Sequence, residues 1–63
     1  MVEYELRYRQ NDGRIALLFI TKARDDEAVR EIADEYWKPH YATLEIYRGQ
    51  RLIRELRNPR ALH

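Results

Sequence analysis

The chain has 63 residues, no cysteine, and 12 basic against 11 acidic side chains, for a net charge of +1. That length is one domain near the lower limit for unaided folding. The missing cysteine excludes disulfides, thiolate zinc sites and cysteine nucleophiles, so oligomerisation is the support left to a thin core. The balanced charge gives no global field to draw the protein to nucleic acid or membrane.

No segment approaches the roughly 20 apolar residues of a membrane span. Residues Met1 to Arg9 alternate charged and apolar and hold no run of signal-peptide length. A cytoplasmic, bacterial-type protein is the expectation.

Val2, Tyr4, Leu6 and Tyr8 alternate with Glu3, Glu5, Arg7 and Arg9. Period two with β-favouring aromatics marks a strand buried on one face. Asn11-Asp12-Gly13 signals a turn, and Ile15-Ala16-Leu17-Leu18-Phe19-Ile20 returns as a second strand. This run is apolar on both faces if extended, which places it at the middle of a sheet with cover on both sides. The hairpin register is open. A two-residue Asp12-Gly13 turn sets Tyr8 opposite Leu17 and Leu6 opposite Phe19. A three-residue loop sets Tyr8 opposite Ala16 and Leu6 opposite Leu18, which swaps the faces of the second strand.

Asp25 reads as a helix N-cap, with Asp26 and Glu27 in the first turn where the macrodipole favours acids. Ala28, Val29, Ile32, Ala33 and Tyr36 form one helical stripe, and Pro39 stops the helix. The acidic residues from Asp25 to Glu35 are mostly a solvated helix face. Trp37 and Tyr41, beside Pro39, read as a flap over a small core.

Tyr41 to Arg48 alternate again, Gly49-Gln50 signals a tight turn, and Arg51 to Arg57 returns. A two-residue turn sets Ile46 opposite Ile53, Tyr47 opposite Leu52, and Glu45 opposite Arg54 as a favourable charge pair. Leu52, Ile53 and Leu56 also fit a helical stripe, but seven residues is short for an uncapped helix, and the strand is preferred. Asn58-Pro59 ends it, and Arg60 to His63 reads as a frayed tail.

The expected fold class is therefore α+β: ββαββ, a four-stranded antiparallel sheet with one helix packed on one face, in a single domain over residues 1–63. Strand order 1-2-4-3 keeps the apolar run central. Order 2-1-3-4 is equally antiparallel but leaves that run on an edge, where it invites aggregation. The first order is favoured.

The helix start Arg24-Asp25-Asp26-Glu27-Ala28 and the later Leu44-Glu45-Ile46-Tyr47-Arg48-Gly49-Gln50-Arg51-Leu52-Ile53 carry a resemblance. They resemble a class of short bacterial proteins in which an Asp-Asp-Glu-Glu-Ala helix start precedes a Val-Glu-Leu-Trp-x-Gly-x-Arg-Leu-Val hairpin. That family is similar in length and largely uncharacterised. Tyr47 stands where Trp is common there, and the Trp37-Lys38-Pro39-His40 connector departs from the usual Gly-containing one. The resemblance implies a strand over 51–57, and no activity or catalytic residues.

Little in the chain suggests catalysis. Gly13 and Gly49 sit singly at hairpin tips, so no phosphate-binding glycine loop exists. There is no serine, and Thr21 and Thr43 lack a neighbouring base. The expectation is no enzyme, no cofactor and no metal.

Two binding readings compete. The first is self-association through the sheet face opposite the helix, with Leu18, Ile20, Tyr41, Tyr47, Leu52, Arg54 and Leu56 as the interface of a homodimer. Such an interaction or accessory module could also take an unknown protein partner. The second is single-stranded nucleic-acid binding by Tyr41, Tyr47, Arg54, Arg7 and Arg9, with aromatics to stack bases and arginines to reach phosphate. Glu3, Glu5 and Glu45 on the same face oppose it.

Overall fold

The computed structural model describes residues 1–59, so the reading of Arg60 to His63 as a tail lies outside the described residues. The elements are β1 (Val2–Arg9), β2 (Ile15–Ala23), α1 (Asp26–Asp34), β3 (Thr43–Arg48) and β4 (Arg51–Arg57). The four strands form one antiparallel sheet, so the ββαββ architecture of an α+β fold is present. Residues 51–57 are strand, not helix.

The sheet order is β2-β1-β3-β4, which overturns the favoured order 1-2-4-3. Apolarity on both faces does not make β2 central; β1 is central instead. The reason lies in its side chains. On one face Tyr4, Leu6 and Tyr8 are buried to within about a hundredth of full exposure. Both phenols reach the helix: Tyr4 Oη donates to Asp26 Oδ1 at 2.6 Å, and Tyr8 Oη donates to the Ala33 carbonyl at 2.6 Å. The two bonds tie both ends of β1 to the covering helix. On its other face Arg9 donates from Nε to Glu45 Oε1 of β3 at 2.8 Å, so opposite charges favour the β1–β3 pairing.

The first hairpin combines features of both possible registers. Gln10 N donates to the Arg14 carbonyl and Gly13 N to the Gln10 carbonyl, with Gly13 at φ +86°. That is a three-residue loop with glycine in the left-handed region. Yet Arg9 pairs with Ile15 while Tyr8 pairs with Leu17, so Ala16 is an extra, bulged residue. The bulge restores the register of a two-residue turn, with Leu6 opposite Phe19.

The second hairpin has its own bulge. Tyr47 pairs with Leu52 as expected, but Ile46 pairs with Arg54 and Glu45 with Glu55. The expected Ile46–Ile53 and Glu45–Arg54 pairs do not form, because Ile53 is the extra residue. It turns toward the core and packs there.

Asp25 caps α1, its carboxylate accepting from Ala28 N at 2.9 Å. Val29 and Ala33 are buried, with Ala28 and Ile32 packed against them. The helix ends at Asp34, well before Pro39 and earlier than the stripe through Tyr36 implied. Glu35 N bonds the Ile32 carbonyl and Tyr36 N the Ala33 carbonyl, tightening the last turn to three-residue spacing. Tyr36 is left half-exposed against Phe19, with ring centroids 4.7 Å apart.

Trp37 and Tyr41 fold back as a flap. Trp37 meets the Tyr8 ring edge-on at 5.2 Å, Tyr41 lies 5.3 Å from it, and Phe19 stacks at 6.2 Å. Asn58 locks the flap, its amide donating to the carbonyls of Lys38 and Tyr41. No helix among the described residues is long and apolar enough to cross a membrane.

Candidate interaction surface

The face of the sheet turned away from α1 is assembled in cross-strand rows. One row runs Leu18, Arg7, Glu45, Glu55, and the next runs Ile20, Glu5, Tyr47, Leu52. A third runs Ile15, Arg9, Thr43, Arg57. All three rows begin on an apolar residue of β2, whereas at the β4 end only Leu52 is apolar, beside Glu55 and Arg57.

The middle is internally satisfied. The Arg7 guanidinium is hydrogen-bonded to the Glu5 carboxylate, which pushes its already high pKa up further. The same guanidinium sits 4.1 Å above the Tyr47 ring, a cation–π contact that covers one face of that aromatic. Arg9 and Glu45 form the second pair, with side chains only about a third and a sixth exposed.

The edge at β2 is different. Ile15, Leu18 and Ile20 are 45%, 46% and 59% exposed, and no other strand shows so many large apolar side chains to solvent. Leu52 stands on the far edge, three strand spacings or roughly 14 Å away. The open face is therefore not one apolar patch but an apolar rim at β2, a charged centre, and Leu52 standing singly among charges at β4.

Of the seven interface residues expected from sequence, the structure brings Leu18, Ile20, Tyr47 and Leu52 to this face. The other three lie elsewhere. Tyr41 is only 6% exposed and belongs to the aromatic flap. Leu56 pairs with buried Leu44 and packs against the core on the helix side. Arg54 is exposed opposite Ile46, also on the helix side, because the Ile53 bulge shifts it across. The bulge has no signature in composition, and that is why the alternation misplaced Arg54 and Leu56. Ile15, Tyr36 and the unpaired backbone of β2 complete the apolar edge. Recognising the run at 15–20 as an edge strand would have found them.

Other hollows are shallow. One of about 510 Å³ is lined by Gln10, Asn11, Asp12, Pro39 and His40. A second, of about 400 Å³, is lined by Asp26, Arg48, Arg51, Leu52 and Ile53. Among the described residues no group of three or more His, Asp or Glu side chains is placed to hold a metal.

No family model matches the chain, and neither a curated protein nor a solved structure does.

Proposed function

We propose that this chain is a small, non-catalytic interaction module that self-associates through the side of the sheet opposite the helix, at the β2 rim. One observation carries the reading: β2 shows Ile15, Leu18 and Ile20 to solvent on a protein with little core to spare. Exposed apolar groups of this kind mark interfaces on small soluble proteins. Single-stranded nucleic-acid binding has less support. Arg7 and Arg9 are already paired with Glu5 and Glu45, and Tyr41 is not available to stack.

Sedimentation of the full chain at micromolar concentration tests the proposal. A species of twice 7.7 kDa that dissociates on dilution is the expected result. A single 7.7 kDa species at every concentration overturns it.

A further inference from the structure

We propose that the occupant of this rim is a second copy of the chain, added strand to strand along the free edge of β2, so that two four-stranded sheets become one continuous sheet. The inference rests on the self-association reading and specifies its geometry.

The two edges of the sheet are built differently. β4 carries Arg51, Arg54, Glu55 and Arg57 in seven residues, and its bulge at Ile53, the third of them, leaves only Arg54–Arg57 as regular strand. Charges and bulges of this kind keep an edge from pairing with another chain. β2 has nine residues, no proline, and Lys22 as its sole charge. Its bulge at Ala16 lies beside the turn, leaving Leu17–Ala23 as regular strand. One side of that strand pairs with β1, and among the described residues no strand lies beside the backbone groups on its other side. A guarded edge and an unguarded one occur in the same sheet.

The distribution of charge separates edge pairing from face stacking. Stacking two open faces would bury the Arg7–Glu5 and Arg9–Glu45 pairs at its centre, and desolvating ion pairs often costs more than their attraction returns. Edge pairing leaves these groups wet and covers the exposed rim.

The sequence of β2 is self-complementary when paired antiparallel about Phe19. Within the regular strand, Leu18 then lies opposite the second copy's Ile20 and Leu17 opposite its Thr21, and the Ala16 bulge ends the regular register beyond them. On the open side the two Leu18–Ile20 pairs form one apolar block. On the helix side Phe19 meets its counterpart, with the half-exposed Tyr36 of each copy alongside. Pairing about Ile20 instead would set Lys22 against Leu18 and leave no such block.

Cross-linking tests this directly, because the chain has no cysteine of its own. Leu18→Cys and Ile20→Cys alter half-exposed positions outside the core. The two variants, one isotope-labelled, are mixed under a thiol–disulfide redox buffer, and the disulfide-linked species are weighed. Directly opposed strand residues lie within disulfide reach, whereas same-residue pairs would be displaced by two positions to about 7 Å or more. The expected result is a mixed disulfide several-fold in excess of both homodisulfides, together with an Ile20→Lys variant that is folded but monomeric. Equal or greater yield of homodisulfides overturns the Phe19-centred pairing. A dimer that survives Ile20→Lys, is lost in Leu52→Glu and forms no preferred mixed disulfide overturns edge pairing while self-association stands. A wild-type chain that stays monomeric overturns both.

Discussion

The Tyr8 phenol donates a 2.6 Å hydrogen bond to the carbonyl of Ala33, joining the central strand to the last turn of the helix. The same carbonyl accepts from Tyr36 N at 3.2 Å. Removing the phenol oxygen therefore does not leave the acceptor without a donor. Tyr8→Phe, which keeps the ring contacts, should cost only about 0.5–1.5 kcal/mol. Tyr8→Ala removes the hub of the aromatic cluster and should cost about 3–5 kcal/mol. A domain of this size has roughly 3–9 kcal/mol in all, so the alanine variant should be largely unfolded. Urea unfolding read at constant slope checks both.

Alkaline pH should destabilise the fold through the tyrosines. Burial, with added repulsion from Asp34, pushes the Tyr8 phenol well above the usual value near 10. Tyr4 is raised chiefly by its hydrogen bond to Asp26, and burial adds to this. In both cases the folded pKa exceeds the unfolded one. Their contribution is complete below about pH 10 and is lost as pH rises through the folded values. Ultraviolet titration should show part of the tyrosine signal withheld beyond pH 10 until the chain unfolds. All five tyrosines ionising together near pH 10 in a still-folded chain would contradict this.

Asn58 should be the most sensitive polar side chain. It is 7% exposed and its amide nitrogen donates to the Lys38 and Tyr41 carbonyls at 2.9 and 2.8 Å. Asn58→Ala leaves the Tyr41 carbonyl short of its donor, while the Lys38 carbonyl keeps Tyr41 N at 3.0 Å, and should cost about 1–3 kcal/mol. Asn58→Asp replaces the donor with a charged acceptor facing two other acceptors, and should be worse at neutral pH than in mild acid. Thermal unfolding at the two pH values distinguishes the variants.

Asp25→Ala removes the cap accepted from Ala28 N and should cost about 1 kcal/mol, with Asp25→Asn close to wild type. Loss of helix signal by circular dichroism in the alanine variant alone is the expected observation.

These residues also show where sequence is informative. Asp25, the β1 alternation and both turns were legible because each depends on local chemistry that a few neighbouring residues carry. Strand order was not. It turns on the Tyr4 and Tyr8 phenols bonding to groups 22 and 25 residues away, and no local pattern reports that. The rim residues Leu18 and Ile20 were found from their apolarity. Arg54 and Leu56 were assigned to the wrong side because one bulged residue reverses every assignment beyond it. Asn58 read as a chain stop, and its role in locking the flap depends on carbonyls contributed by distant turns.

The two bulges have a consequence for tolerated chain length. Without Ala16, Arg9 would still meet Ile15 and Tyr8 would still meet Leu17. Without Ile53, Tyr47 would still meet Leu52 and Ile46 would still meet Arg54. Each hairpin thus holds one spare residue near its tip. A deletion at either position can be absorbed without moving another side chain to the opposite face, whereas a deletion deeper in β1 cannot.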